Sequence, residues 1–255
     1  MRRRTRLFLL APALAGLVGL LVWGLTGLPG SGDREAAQAR LLAKVGVPER
    51  HATNVVGAVT MDYRGFDTLG EEMILFTAAL ALVVLLREQR GEHREEEDDE
   101  DAEDREAPRT SDAMRLLGLA LVGPSVLLGL YVVFHGALTP GGGFQGGVIL
   151  STALLLVYLS GRYLALRRSN PTPPLEVAEA LGAAGFALIG LGGLIVSGVY
   201  LENFVGLGTT KTLLSGGTIP LLNIAVGLEV TGALMLTYIE FLDQALFVRE
   251  AGEHQ

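Results

Sequence analysis

One carboxylate stands alone in a long apolar segment near the end of the chain. Glu229 is the eleventh residue of Ile219–Phe241, a stretch of 23 residues whose only other charge is Glu240 next to its end. An isolated carboxylate at that depth in a bilayer costs at least ~2.5 kcal/mol, so it must face protein, a counter-ion or water, or hold a proton. We therefore predict that Glu229 either belongs to a proton or cation path or joins helices by a hydrogen bond or ion pair.

A second acidic cluster precedes an apolar run in the first third of the chain. Thr68 and Glu71 have the spacing of a helix capping box, which would account for Asp67, Thr68 and Glu71 without a transport role. That interpretation leaves Glu72 unexplained. The alternative prediction is a charged vestibule at the mouth of an ion path, formed by Asp62, Arg64, Asp67, Glu71 and Glu72.

His135 and a glycine-rich segment follow the third apolar run. The ordinary pKa of histidine, near 6.5, suits proton exchange, although a lone interfacial histidine is more often a polar helix cap. Proline ends helices and glycine permits close backbone approach, so the segment predicts a tight turn between two spans. Whether its backbone groups also line a cavity stays open. The turn residues are Pro140, Gly141, Gly142, Gly143, Gly146 and Gly147.

Long uncharged runs predict an all-α integral membrane protein with about six transmembrane helices. A hydrocarbon layer of ~30 Å takes roughly 20 helical residues. The second span reaches that length only if it includes Glu71 and Glu72, and the first is expected to be retained rather than cleaved as a signal. The candidate spans are Leu7–Leu28, Leu69–Leu86, Met114–Leu138, Gly146–Leu166, Val177–Tyr200 and Thr218–Phe241. Between the first two, Asp33–Arg50 predicts either a short amphipathic surface helix or an extramembrane turn.

Basic residues orient these spans. Six spans place both termini on one side, and 14 of the 20 Lys and Arg residues then fall on that side. Because positive charge accumulates on the cytoplasmic side, we expect a multi-pass protein of the cell membrane with cytoplasmic N- and C-termini.

Negative charge is concentrated in one tract and divides the chain. Positions 92–106 hold 11 of the 28 acidic residues but only two of the 20 basic ones. Such a run without apolar period predicts a disordered, self-repelling linker over 88–111. The expected organisation is therefore a two-span module (1–87), the acidic linker (88–111), a four-span domain (112–249) and a tail (250–255).

Composition excludes several classes of function. Outside the acidic tract the charge nearly balances, so the basic face needed for nucleic-acid binding is absent from the sequence. The chain has no cysteine, which excludes disulfides, thiolate metal sites and cysteine nucleophiles. Catalytic-triad, zinc and haem spacings do not occur either. We therefore expect no cofactor, no metal and no enzymatic activity.

Two motifs resemble parts of known membrane complexes. The run His135–Gly147 (HGALTPGGGFQGG), with Asn223–Val230 (NIAVGLEV), closely resembles the MnhB domain, which is the B-type component of Mrp-type Na⁺/H⁺ antiporters. Positions 54–71, ending in DYRGFDTLGE, resemble the C-terminal extension of the A-type component of the same antiporters. The same module occurs as the E-type component of membrane-bound hydrogenases, so the chain looks like a fusion of two neighbouring pieces of one membrane arm.

The resemblance implies a function that a single chain cannot complete. It implies a non-catalytic subunit of a multisubunit Na⁺/H⁺ antiporter, with other Mrp-type subunits and membrane lipids as partners and Na⁺ and H⁺ as transported ions. Relays use several buried ionisable groups, and we expect this chain to contribute Glu229 with Glu71 or Glu72, and less directly His135 and Asp67. The alternatives are a membrane-arm subunit of a hydrogenase-like respiratory complex and a purely structural scaffold.

Overall fold

Helices account for every regular element that the structure describes. The computed structural model describes residues 14–16, 18–20, 22–27, 37–86, 111–162, 166 and 171–253. The predicted all-α class is confirmed for this part of the chain. Its helices are α1 (Ala37–Arg50), α2 (Val55–Ala58), α3 (Gly65–Leu86), α4 (Asp112–Phe134), α5 (Gly143–Leu159), α6 (Thr172–Ser197) and α7 (Ile219–Glu253), with a π-helical turn (Val59–Tyr63) before α3.

Four of these helices are long and apolar enough to cross a membrane. They are Gly65–Leu86, Asp112–Phe134, Thr172–Ser197 and the Ile219–Asp243 part of α7. Two shorter apolar helices, Gly143–Leu159 and the described residues of Leu14–Thr26, fall in the remaining predicted spans. Of the two expectations for Asp33–Arg50, the helix is correct from Ala37 onward. The predicted acidic linker lies outside the described residues except for Ser111, which caps α4.

The chain divides into two compact units, Met1–Ala43 and Lys44–Gln255. In the second unit α7 is central, because α3, α5 and α6 all pack against it while α4 packs mainly on α5. In α7 61% of the membrane-length window is buried, compared with 11–28% in the other three long helices. The apolar core includes Phe186, Ile219, Leu222, Val226 and Val230. This arrangement takes the middle of α7 through the protein interior.

Helix α3 begins earlier than the capping-box interpretation predicted. Thr68 is the fourth residue of α3 rather than its N-cap, and its hydroxyl donates to the Thr60 carbonyl oxygen at 2.5 Å. The capping box is therefore wrong, because the π-helical turn leads the chain into α3 at Gly65. As a consequence Glu71 and Glu72 lie about two turns inside a membrane-length helix.

The glycine-rich segment is a turn only in its first half. Gly141 and Gly142 have φ values of 135°, in the region that favours glycine. Gly143 begins α5, and Gly146 and Gly147 lie inside that helix, so assigning these three to the turn is wrong. A Cβ at Gly147 would lie 2.7 Å from the Val230 side chain of α7. The later glycines therefore allow α5 to approach its neighbouring helices.

The carbonyl groups of this turn hold the first part of the chain. Asn54 donates from its side-chain amide to the Gly136 oxygen at 2.7 Å and from its backbone N–H to the Ala137 oxygen at 3.1 Å. From the other side, the Asn223 side-chain oxygen accepts the Gly143 N–H at 2.8 Å. We call the Asn54 contacts with Gly136 and Ala137 the Asn54 joint. The turn therefore connects polypeptide segments rather than leaving those carbonyls open to a cavity.

Candidate functional site

Glu229 lies in the protein interior, as its position in the sequence predicted. Its side chain is 0% exposed, and neither carboxyl oxygen has a hydrogen-bond partner among the described residues. It lies ten positions after the first residue of α7, which is about 15 Å along a helix. Protein rather than lipid surrounds this carboxyl group.

Glu72 of α3 is the neighbour of Glu229 across the helix interface. Its side chain is likewise 0% exposed, and the two carboxyl groups are close enough to interact directly. Even so, in the described part of the chain none of the four oxygens lies in the geometry of a hydrogen bond. Glu71 interacts electrostatically with Glu72, but its own side chain is exposed. Of the adjacent pair, Glu72 is therefore the residue that faces the interior.

A third buried carboxyl group, on α6, was not among the residues that the sequence pointed to. Glu179 is 7% exposed, its Oε1 has no hydrogen-bond partner in the residues described, and it interacts electrostatically with Glu229 and with the exposed Glu176. The signal was present, because Glu179 is the third residue of the predicted span that begins at Val177. We call Glu72, Glu229 and Glu179 the carboxyl series.

Two glycines fix the level at which α6 and α7 meet. A Cβ at Gly182 of α6 would collide with the backbone nitrogen of Glu229, and a Cβ at Gly232 of α7 would lie 2.8 Å from that of Glu179. Each glycine stands three residues from the glutamate of its own helix, so the contacts are reciprocal and the helices antiparallel. The two glutamates are therefore about 4.5 Å, or three residues, apart along the helix axes.

Among the described residues, no basic side chain forms an ion pair with the carboxyl series. Burying a carboxylate without a partner is strongly unfavourable, and two adjacent carboxylates add repulsion. In the described ranges the ion pairs found involve other residues, and no group of three or more potential ligands is placed to hold a metal ion. The three carboxyl groups therefore do not form one chelating site in the described residues.

A cavity lies beside Asp62, where the sequence predicted a charged vestibule, but of the five predicted residues only Asp62 and Arg64 line it. Arg50 and Asp62 form an ion pair at 2.9 Å with side chains 27% and 6% exposed, and the Asn203 amide donates to Asp62 at 2.8 Å. Burial raises the pKa of Asp62 above its usual range, although Asn203 and Arg50 oppose the shift. A cavity of about 320 Å³ lies beside this pair, with Tyr63, Arg64, Gly65 and Glu202 among its lining residues.

In the described residues, the contacts of Asp67 and His135 are with residues outside the carboxyl series. Asp67 pairs with Arg64 in an ion pair whose side chains are 54% and 63% exposed. His135 follows the last residue of α4, contacts the Tyr131 carbonyl through Nδ1 at 3.0 Å and stacks on the Tyr131 ring. Asp67 therefore belongs to an exposed ion pair, and His135 is a polar cap at the end of α4.

The two resemblances predicted from the sequence are confirmed by comparison with protein families. Residues 113–236 match the sequence model described as a domain related to the MnhB subunit of Na⁺/H⁺ antiporters. Residues 2–100 match that of MbhE, the E-type component of MBH. An uncharacterized protein of Methanocaldococcus jannaschii is 32% identical over 203 residues, which cover 71% of this chain and 74% of that protein.

Two solved membrane complexes contain similar chains. One is the membrane-bound sulfane sulfur reductase, an archaeal respiratory membrane complex, with a TM-score of 0.66, 28% identity, and coverage of 93% of this chain and 98% of the other. The second is the Mrp complex from Dietzia sp. DQ12-45-1b, with a TM-score of 0.65, 25% identity, and coverage of 94% and 26%. The fold thus recurs both as almost a whole chain and as about a quarter of a longer one.

Proposed function

From the domains of the chain we propose its role. The chain belongs to the MnhB-related family. It joins an MbhE region to a domain related to the MnhB subunit of Na⁺/H⁺ antiporters. It is a multi-pass membrane subunit of a multisubunit monovalent cation/proton antiporter. Its own part is non-catalytic: it contributes a segment of an ion or proton path and contacts through which the complex assembles.

The observation that carries this proposal is the pairing of Glu72 with Glu229. The two carboxyl groups are fully buried, adjacent and without hydrogen-bond partners in the described residues. Such a pair is stable only if a proton or a cation is shared between the groups, because two bare carboxylates would repel each other in a low dielectric. A site that must hold a positive charge, and lies between helices rather than against lipid, is what an ion path requires.

The rest of the path belongs to other subunits. Three buried carboxyl groups in the described part of the chain are few for a complete transporter, since relays through a membrane use several ionisable groups in series. The partners are other Mrp-type subunits and membrane lipids, and the transported ions are Na⁺ and H⁺. We also propose that the N- and C-termini are cytoplasmic, following the distribution of basic residues.

A second candidate is the membrane arm of a respiratory complex. It is favoured by the similar chain of the sulfane sulfur reductase, of which 98% is covered. Here too the chain would move ions and carry no redox centre. Native mass spectrometry of the detergent-extracted complex distinguishes the candidates, since iron–sulfur subunits that co-purify indicate the respiratory assembly.

The test of the ion path is Glu229→Gln in the assembled complex. Glutamine keeps the size of the side chain but can neither ionise nor carry a proton between neighbours. We expect cation-dependent proton flux, measured in membrane vesicles with a pH-sensitive dye, to fall at least tenfold while the amount of assembled complex stays unchanged.

Asp112→Asn is the matched control, because Asp112 is an exposed carboxylate in the first turn of α4. It should leave both flux and assembly as they are. Normal flux per assembled complex in the Glu229 variant would reduce that residue to a packing role and support the scaffold alternative.

A further inference from the structure

The path proposed above ends at Glu229, and a further buried carboxyl group, that of Glu179, lies next to it. Glu179 is 7% exposed, has an unpartnered Oε1 within the described residues and interacts with Glu229. Gly182 and Gly232 hold α6 and α7 so close that side chains three residues apart along the axes are neighbours. A merely structural acid would be expected to have a hydrogen-bond or ion-pair partner, and none occurs for that oxygen in the part of the chain described.

The three carboxyl groups lie at successive depths between the two sides of the membrane. Glu72 lies seven residues after the start of α3, and Glu179 lies seven residues after the start of α6, about 10 Å in each case. These starts are on opposite sides, because Gly65 and the segment that follows α6, Val199–Glu202, line the same cavity. Glu229 stands between the two.

We propose that Glu179 is a path residue that receives a proton from Glu229 and passes it towards the membrane side where α6 begins. In this step the O–H bond of the Glu229 carboxylic acid breaks and an O–H bond forms on the Glu179 carboxylate, so one proton moves and total charge is unchanged. In the described residues, the charged groups that interact with Glu179 are Glu229 on α7 and Glu176 on its own helix. Glu176 is exposed and is the next acceptor.

The chemistry at Glu179 fits a proton better than a metal cation. A hard cation takes about six oxygen ligands, whereas helix carbonyl groups are already occupied by backbone hydrogen bonds. In the described residues no set of three acidic or histidine side chains converges at this level. A proton needs only one acceptor at a time.

The inference rests on the proposed function and is tested by Glu179→Gln in the assembled complex. We expect proton flux in vesicles to fall at least tenfold with assembly unchanged, and Glu179→Asp to recover a substantial part of it because the carboxyl group is restored. Asp112→Asn again serves as the control. Flux within twofold of the unsubstituted complex overturns the inference.

The two proposals fail in different ways. Loss of flux in Glu229→Gln with normal flux in Glu179→Gln removes Glu179 from the path and leaves the proposed function intact. Normal flux in both variants removes the proposed function itself. Loss of flux in both supports the whole series.

A labelling experiment on the unsubstituted complex avoids any question of folding. Dicyclohexylcarbodiimide reacts with protonated carboxyl groups in apolar surroundings, and peptide mass spectrometry locates the adduct. We expect adducts on Glu179 as well as on Glu229, and none on the exposed Asp112. Labelling of Glu229 without any labelling of Glu179 contradicts a proton-carrying role for Glu179.

Discussion

At the scale of single residues, the described part of the chain has a buried ion pair and an exposed one between positions 50 and 67. Arg50 and Asp62 pair beside the cavity with most of both side chains covered, and Arg50 also lies over the Tyr63 ring at 4.9 Å. Burial, with a hydrogen bond to Glu49, raises the pKa of Tyr63 to about 12, so this tyrosine stays protonated. Arg64 and Asp67, by contrast, pair in solvent.

Arg50→Gln is expected to lower the free energy of unfolding by about 3 kcal/mol near neutral pH, because it leaves Asp62 as an uncompensated buried charge. Burial raises the pKa of Asp62, so Asp62 takes up a proton as the pH falls and no longer needs Arg50. The loss should therefore be full at about pH 7.5 and clearly smaller at about pH 5. Thermal unfolding of the purified complex at both values measures it.

Arg64→Gln is the matched control, since an exposed ion pair contributes about 0.5 kcal/mol or less. Its effect should be small at both pH values. Equal effects of the Arg50 and Arg64 substitutions would show that burial does not distinguish the two pairs.

At the scale of helices, the approach of α6 to α7 is set by glycine. Gly182 faces the backbone of Glu229, whereas a methyl group added at Gly185, one turn later, would meet only the Ala225 side chain, at 3.6 Å. A methyl group is therefore excluded at the first position and accommodated at the second. The distance between Glu229 and Glu179 depends on the first.

Gly182→Ala is expected to destabilise the protein by about 2 kcal/mol and to lower proton flux, because the added methyl group must push α6 away from α7. Gly185→Ala should be neutral or stabilising by up to about 1 kcal/mol, since alanine has the higher helix propensity. Thermal unfolding and vesicle flux measure both. Equal tolerance of the two substitutions would contradict the close contact at Gly182.

Helix positions were readable from the sequence where the apolar run was long, and less so at its ends. The depth of Glu229 followed from ten apolar or uncharged neighbours on each side of it. Sequence alone does not show that Glu72 rather than Glu71 turns inward, because adjacent residues differ in direction by about 100° and the packing partner decides which is buried. Glu179 was missed because it lies close to the end of a span, where charges are ordinarily solvated.

Local motifs were less dependable than periodicity. Thr68 and Glu71 have the capping-box spacing, but the π-helical turn before Gly65 starts the helix one turn earlier. The glycine-rich composition of positions 140–147 is typical of a loop, although Gly143, Gly146 and Gly147 belong to α5 and allow it to pack closely on its neighbours. Both differences arise from tertiary contacts that a local pattern does not contain.

At the scale of the whole molecule, the two parts on either side of the acidic tract meet without needing it. Residues 44–86 and the helices after position 111 belong to the same compact unit. They are held by the Asn54 joint and by the packing of α3 on α7, where Glu72 meets Glu229. The proposed ion path therefore depends on this interface and not on a continuous backbone between Leu86 and Ser111.

A chain divided within the acidic tract, between Asp98 and Asp99, should consequently reassemble when both pieces are expressed together. We expect the pieces to co-purify through a tag on the second one and to retain proton flux, because the cut removes no contact in the described residues. Asn54→Leu in the divided protein should weaken recovery about tenfold, since the loss of the side-chain amide leaves the buried Gly136 carbonyl oxygen without its donor, at roughly 1–3 kcal/mol, while the backbone bond to Ala137 remains. In the undivided chain the same substitution should matter less, because the tether keeps the two parts at high effective concentration. Pieces that fail to co-purify would show that the acidic tract itself, rather than the Asn54 joint and the α3–α7 interface, holds the two parts together.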